Sequence, residues 1–202
     1  MPARVRPAIK ALWDLDLVFA DVVATSSDPN LGAIRLAWWR ERLEDLDRGG
    51  SPPAEPRLQA VAAELLPHGV TGDELSDLED AWLPLLQPFP WSGDQANGLR
   101  LRGRILFAIG ARLLGGQPEK VEAAGELWSL RDGAEHCTDE NSRETLLAEM
   151  GSLCSEVVPV PPGLRSLTLP AALAAQDAIG SPGAIRRGIA ALCHRYRGTF
   201  PR

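Results

Sequence analysis

Apolar residues recur at helical spacing along almost the whole chain, whereas alternating runs rich in Val, Ile and Thr are nearly absent. Because a helix face repeats about every 3.6 residues and a strand face every two, this pattern predicts an all-α fold. The run VVPVPP at 157–162 is the only β-like stretch, and its prolines indicate an extended connector rather than a central strand.

Clusters of Gly, Pro, Ser, Asn and Asp mark the predicted loops between helices. They lie near positions 28, 52, 70, 90, 116 and 181 and over 157–163, and they divide the chain into about eight helices. Most of these connections are short, which favours antiparallel neighbours in one bundle. Since the chain has 202 residues and no internal repeat, we predict a single domain over 1–202.

The segment LGAIRLAWWRERLEDL at 31–46 forms a broad apolar arc on a helical wheel. This arc predicts a buried face, and its members are Leu31, Ile34, Leu36, Trp38, Trp39, Leu43 and Leu46. Arg35 and Arg42 fall near the middle of the arc, whereas Arg40 points away from it. The wheel therefore predicts two arginines that face inward.

An inward arginine needs a partner, because an unpaired buried guanidinium is strongly penalised. One alternative is an internal salt bridge to Asp16, which lies within the apolar arc of the preceding helix. The other is a bound diphosphate, since a planar guanidinium matches phosphate oxygens and stacks against indole. The spacing alone leaves both alternatives open.

The formal net charge of −6 and the pI of about 5.1 argue against nucleic acid as a partner. Any anion site must then be a local cluster of arginines. The three cysteines include no CxxC pair, which argues against a disulfide framework and against a zinc site. We therefore expect a cytoplasmic protein.

A membrane span is not expected, because the longest apolar run, ILFAIGA at 105–111, is far shorter than the roughly 20 residues needed. The N-terminal stretch also lacks the pattern of a signal peptide. Peripheral membrane contact stays open, since the last predicted helix is basic and amphipathic. Its arginines are Arg186, Arg187, Arg195 and Arg197, opposite Ile185, Ile189 and Leu192.

Several segments together resemble proteins of the squalene/phytoene synthase family. ALWDLDLVFADVV followed by LGAIRLAWWRERL is similar to the opening of that family, and IRLAWWR is the specific part. Weaker likenesses are LRGRILFAIGARLLGG, AGELWSLRDGAEH and LPAALAAQDA in the second half of the chain. The resemblance is clearest over 8–140.

The resemblance implies an all-α bundle of the isoprenoid synthase type. In active members it implies a magnesium-dependent, head-to-head condensation of two prenyl diphosphates, with two DxxxD motifs that hold the metal. Carboxylates four residues apart share a helix face, and Mg²⁺ prefers their oxygen atoms and substrate phosphates as ligands. Mg²⁺ is thus the cofactor expected of an active member, and no cofactor is expected otherwise.

This chain departs from both acidic motifs. The first motif would fall on ADVVA at 20–24, where Asp21 is the only acid. The second would fall on HCTDE at 136–140, where Asp139 and Glu140 correspond to its later acids. Asp21, Asp139 and Glu140 are therefore the candidate metal ligands, although neither motif is intact.

Two other features admit a functional and a structural interpretation. A literal DxxxD occurs in DELSD at 73–77, but it opens a short acidic helix, for which a solvated face is the plainer interpretation. Gly103 and Gly110 share one helical stripe, which either permits close helix packing or leaves room for a prenyl tail. Close packing is the more common cause of such a stripe.

Two hypotheses of function follow. In the first, the protein binds prenyl diphosphate or a related isoprenoid, through Arg35, Arg42, Trp38 and Trp39, and condenses it if active. In the second, it is a non-catalytic binding or assembly protein on the same fold, with a protein partner, like the family branch that assists assembly of respiratory complex I. The incomplete acidic motifs favour the second.

Overall fold

The computed structural model describes residues 2–179 and 183–201, and no strand occurs in this part of the chain. The prediction of an all-α fold is therefore confirmed. The helices are α1 (Arg6–Thr25), α2 (Pro29–Asp47), α3 (Pro56–Ala60), α4 (Gly72–Ser76), α5 (Leu78–Trp82), α6 (Gly93–Leu113), α7 (Glu122–His136), α8 (Glu140–Leu153), α9 (Arg165–Ile179) and α10 (Ala184–Arg197). The loop predicted near 181 lies outside the described residues.

Contacts between Cα atoms divide the chain into two compact units, Pro2–Pro88 and Phe89–Arg202. None of the helices within the described ranges is long and apolar enough to cross a membrane. Each unit has its own set of fully buried leucines and aromatic residues. The single domain predicted over 1–202 stays a prediction.

The unit Pro2–Pro88 contains α1 to α5, and local sequence signals start its helices. The Asp28 side chain accepts a hydrogen bond from the Asn30 amide (2.8 Å) at the start of α2, where Pro29 is the first helical residue. Thr71 and Glu74 form a capping box at the start of α4. The core of this unit contains Leu12, Leu15, Phe19, Leu36, Leu43, Leu58, Leu65, Leu75 and Leu78.

The acidic DELSD segment packs on α2 through its backbone. The Asp47 carboxylate accepts hydrogen bonds from the amides of Gly72 (2.7 Å) and Asp73 (2.9 Å), the first amides of α4. A Cβ atom at Gly72 would lie 1.9 Å from the Leu43 carbonyl oxygen, so glycine is required there. Asp73 and Asp77 are exposed, which confirms the interpretation of DELSD as a solvated helix start.

The unit Phe89–Arg202 contains α6 to α10 and is built around the crossing of α6 and α7. A Cβ atom at Gly103 would lie 2.1 Å from the carbonyl oxygen of Gly125, so the two backbones touch. Gly110 faces Leu167 of α9, whose Cδ1 atom lies 2.9 Å from the position of an added Cβ. The glycine stripe therefore serves close helix packing rather than space for a prenyl tail.

The connector at 157–161 has no helix or strand, as its prolines predict. The Val160 amide donates a hydrogen bond to the carbonyl of Gly198 (2.9 Å), just after α10. Val157 and Val160 are buried, so the connector also contributes to the core of its unit.

Candidate anion-binding groove

The buried face of α2 differs from the predicted arc. Gly32, Leu36, Trp39, Leu43 and Leu46 are buried, whereas the other apolar members of the arc are exposed. Those exposed residues are Leu31 (59%), Ile34 (66%) and Trp38 (42%). The prediction is wrong for these three residues, because the arc spans roughly 200°, which is wider than one packing face can cover.

Arg35 and Arg42 consequently do not face the core. They lie along the edge of the buried face, where Arg35 is exposed and Arg42 is half-buried. The prediction of two inward arginines is therefore wrong. Long side chains at such an edge reach water along their stems, so neither guanidinium requires an internal carboxylate.

The arginine of α2 that meets a buried acid in this unit is neither Arg35 nor Arg42. Arg40, which the wheel placed toward solvent, forms ion pairs with the buried Glu79, with Asp80 and with Glu44. Hydrogen bonding to Asp80 raises the pKa of Arg40 further above its ordinary range. Spacing along α2 does not indicate this pair, because Glu79 lies 39 residues further along the chain.

Asp16 is buried, as expected, and its carboxylate accepts a hydrogen bond from the Trp82 indole (Nε1 to Oδ1, 3.0 Å). The contacts of the Arg35 and Arg42 guanidiniums are with other residues. The predicted bridge from Asp16 to Arg35 or Arg42 is therefore not formed.

An open groove of about 690 Å³ lies beside Arg35, and we call it the Arg35 groove. It is formed by one side of α1, the edge of α2 and the start of α3. Its lining residues are Lys10, Asp14, Leu17, Val18, Asp21, Val22, Arg35, Trp39, Glu55, Pro56, Arg57 and Ala60. Apolar and charged groups thus share one concave surface, as in sites that bind amphipathic molecules.

Most charges in the Arg35 groove are already paired. Lys10 pairs with Asp14 one turn further along α1, and Arg57 lies 3.5 Å from Glu55. Arg35 differs from these cations, because in the described part of the chain it forms no ion pair with a carboxylate.

The guanidinium of Arg35 donates hydrogen bonds to the hydroxyl oxygens of Thr25 (3.2 Å) and Ser26 (3.3 Å). Both hydroxyls donate their own protons to backbone carbonyls of α1, at Asp21 (2.7 Å) and Val22 (2.6 Å). The hydroxyls therefore present lone pairs to Arg35 and hold it in place. An oriented cation that contacts only neutral groups is suited to binding an anion.

The other predicted ligand residues lie in different surroundings. Arg42 lines a second groove of about 200 Å³ and pairs with Asp45 (3.1 Å) and Glu41 (3.4 Å). Trp38 is exposed and packs edge-on against Trp39, with ring centroids 5.2 Å apart. Of the four predicted residues, Arg35 and Trp39 are the two that line the Arg35 groove.

The candidate metal ligands have other partners or stand alone. The Asp139 carboxylate caps α8, where it accepts hydrogen bonds from the Ser142 amide (2.9 Å) and hydroxyl (2.6 Å). These bonds hold the pKa of Asp139 below its usual range. Glu140 pairs with Arg143 (2.6 Å), and Asp21 is exposed on α1 without a second carboxylate at the four-residue spacing of the motif.

In the described ranges, no three His, Cys, Asp or Glu side chains are grouped so that they could hold a metal ion. No such group there includes Asp21, Asp139 or Glu140, and their role as magnesium ligands stays a prediction. Magnesium ions need several oxygen ligands around one point, and the hydrogen bonds described above commit the Asp139 carboxylate to helix capping.

Lys10 and Arg57 line the groove although the sequence pattern did not predict them as site residues. Lys10, Asp14 and Asp21 share one side of α1 at helical spacing, which is visible in the sequence. Nothing in the spacing indicates that the start of α3 meets this side of α1, because that contact depends on the path of the 48–55 connection.

Comparison with protein-family models, with curated proteins and with solved structures found no match. The likeness to the squalene/phytoene synthase family consequently depends on the segments quoted above, and membership of that family stays a proposal.

Proposed function

We propose that this protein is a squalene/phytoene synthase-like bundle of the isoprenoid synthase type that binds a prenyl diphosphate in the Arg35 groove without condensing it. The observation that carries the proposal is the Arg35 guanidinium, oriented by two hydroxyls in an open groove and free of any carboxylate partner among the described residues.

The charged part of the groove suits a diphosphate. Arg35 would bind one phosphate group through its two-pronged guanidinium. Lys10 and Arg57 lie on the same groove, and exchange of their carboxylate partners for phosphate oxygens adds two further cations. Three cations from three helices can surround a diphosphate more completely than one helix could.

The apolar part of the groove suits a prenyl chain. Leu17 is 63% exposed, and Val18, Val22 and the Trp39 indole line the same surface. Covering the exposed part of a side chain such as Leu17 with a hydrocarbon contributes about 1–2 kcal/mol. An amphipathic anion therefore uses the groove better than inorganic phosphate does.

Binding without condensation is supported by the acids of the two motif positions. Condensation in the family depends on metal held by paired acids, whereas Asp139 caps a helix and Glu140 pairs with Arg143. Asp21 lines the groove without an ion pair among the described residues, and its carboxylate opposes rather than assists an unmetallated diphosphate.

Calorimetric titration of the purified protein tests this function with geranylgeranyl diphosphate, geranylgeraniol and inorganic pyrophosphate. We expect the intact diphosphate to bind tightest, because it alone uses both the charged and the apolar part of the groove. Arg35→Ala should weaken its binding by about 10- to 100-fold, the loss for hydrogen bonds to a charged group. Arg35→Lys should retain part of the affinity.

The matched control is Arg48→Ala, which removes an exposed arginine just after the same helix but outside the Arg35 groove. Its affinity for geranylgeranyl diphosphate should equal that of the parent protein. Equal affinities of Arg35→Ala and the parent protein would overturn the site. Release of diphosphate together with a C40 product in the presence of Mg²⁺ would instead show a condensing enzyme.

A further inference from the structure

The helix α10 has a line of large apolar side chains in solvent. These residues recur at i, i+4, i+7 and i+11 and therefore share one helix face. They are Ile185 (80% exposed), Ile189 (57%), Leu192 (56%) and Tyr196 (72%), and we call them the α10 stripe. The helix packs on α9 through its other side, where Ala190 and His194 are buried.

Arginines flank the α10 stripe along both of its long edges. At about 100° per residue, Arg186 and Arg197 lie roughly 90° to one side of the stripe and Arg195 roughly 90° to the other. All three are exposed. Arg187 lies on the packed side instead, 3.5 Å from Asp177.

The charge of this segment is opposite to that of the whole chain. Residues 183–201 contain four arginines and no Asp or Glu. Without these four arginines the formal net charge of −6 would be −10. Positive charge is therefore concentrated at α10 in an otherwise acidic molecule.

Four adjacent large apolar side chains in solvent indicate an interaction surface, whereas single exposed residues do not. A second copy of α10 is a poor partner, since two rows of arginines would be brought together. A membrane with anionic lipids matches both components, because acyl chains cover the stripe and phosphates pair with the flanking arginines.

A second group of exposed apolar side chains lies on α2, but its charged neighbours match anionic lipids less well. Leu31, Ile34 and Trp38 lie on the solvent face of that helix. The neighbouring Glu41 and Asp45 pair with Arg42, so this part of the face has no excess of positive charge to attract an anionic surface.

We propose that α10 is a membrane-docking helix, which lies in the interface of an anionic bilayer with the α10 stripe among the lipid chains and Arg186, Arg195 and Arg197 at the phosphates. The long arginine side chains reach outward from the edges of the stripe to the headgroups. The surface shares no residue with the Arg35 groove.

Cys193 offers a direct probe of this contact. It is the exposed cysteine at the edge of the α10 stripe, whereas Cys137 and Cys154 are buried. An environment-sensitive fluorophore on Cys193 of the folded protein should shift to the blue on vesicles of 70% phosphatidylcholine and 30% phosphatidylglycerol. It should not shift on vesicles of phosphatidylcholine alone, because the electrostatic attraction is then missing.

Co-sedimentation with the same vesicles measures how much the flanking arginines and the α10 stripe each contribute to membrane binding. Replacing Arg186, Arg195 and Arg197 with glutamine should weaken binding on the order of 100-fold, at about fivefold per arginine. Replacing Ile185, Ile189 and Leu192 with serine should weaken it by at least about tenfold, because less apolar surface enters the bilayer. All six side chains are exposed, so both variants should fold.

A matched control replaces exposed arginines outside α10 with glutamine, at Arg4, Arg48 and Arg143. It removes the same charge and should bind vesicles about as well as the parent protein. No binding to anionic vesicles, or equal losses in the control and in the α10 arginine variant, would overturn the proposal. Concentration-dependent dimerisation lost in the serine variant, with no vesicle binding, would assign the stripe to a second copy.

Discussion

At the scale of residues, Arg35 and Arg42 show that two side chains on the same edge of a helix can have different partners in the fold. The two arginines are seven residues apart on the same edge of α2. Arg42 pairs with the acids of its own helix, whereas Arg35 contacts two hydroxyls at the C-terminal end of α1. Of these two arginines, only Arg35 therefore has a guanidinium available for an anion in the Arg35 groove.

Asp21 tests whether the groove binds a bare or a metal-bound diphosphate. Its carboxylate lines the same groove as Arg35 and opposes a bare anion. Asp21→Asn should therefore tighten binding of pyrophosphate by about two- to fivefold at low salt and less at high salt. Calorimetry with EDTA present measures this effect, and Glu119→Gln, an exposed acid outside the groove, is the control.

The opposite result has a distinct meaning. Loss of a magnesium-dependent component of binding in Asp21→Asn would show that this carboxylate is a metal ligand. The proposal of binding without metal would then be wrong.

His194 makes stability depend on pH. It is fully buried between Thr168, whose hydroxyl lies 2.9 Å from Nε2, and the Thr199 carbonyl, 3.1 Å from Nδ1. A carbonyl only accepts, so Nδ1 carries the proton of the neutral ring. The Thr168 hydroxyl also lies 3.0 Å from the Leu164 carbonyl, so its one proton is shared between that carbonyl and Nε2. Burial lowers the pKa of His194 below its ordinary value.

The sign of the effect follows from the lowered pKa. The unfolded chain binds the proton more readily, so stability is full above about pH 6.5 and is lost as the pH falls toward the folded-state pKa. We expect a melting temperature lower by on the order of a few degrees at pH 5.5 than at pH 7.5. His194→Gln should reduce this difference, whereas the exposed His68→Gln should not. Equal differences in all three proteins would contradict the assignment.

At the scale of elements, the apolar arc of α2 is wider than one packing face. The helices that pack on α2 therefore decide which half of the arc is buried. The half of α2 with Trp39 and Leu43 is buried, and the half with Leu31 and Ile34 is not. By contrast, the Gly103 stripe of α6 can only be a packing face. Its backbone touches the backbone of α7, and such a contact leaves no room for a side chain.

Gly103→Ala should destabilise the protein by about 1–3 kcal/mol or more, because its Cβ would lie 2.1 Å from a backbone oxygen that no rotamer change can move. Urea unfolding measures this difference. Gly151→Ala is the matched control, since Gly151 lies in α8 with no atom within 4 Å of an added Cβ. It should be neutral or stabilising, by up to about 1 kcal/mol. Unchanged stability of Gly103→Ala would contradict the close crossing.

At the scale of the whole molecule, one basic segment contrasts with an acidic chain. The molecule is acidic overall, whereas residues 183–201 are basic and hold the α10 stripe. The Arg35 groove belongs to Pro2–Pro88 and α10 to Phe89–Arg202. Diphosphate binding and membrane docking can therefore be removed separately by variants that share no residue.

The sequence by itself determined the all-α class, most of the loops, the connector at 157–161 and the basic amphipathic character of α10. These depend on periodicity, proline and glycine within a few residues, and local geometry decides them. Local spacing also indicated the glycine stripe of α6, although its partners could not be named.

Only the tertiary structure decided the arginine partners and the candidate site. Arg40 meets Glu79, and Asp16 meets Trp82, across 39 and 66 residues of chain. Such contacts depend on how the helices cross and on which half of a wide apolar arc is covered. The spacing of residues along one helix predicts neither of these. For the same physical reason Arg35 faces a groove while Arg42, on the same edge of α2, does not.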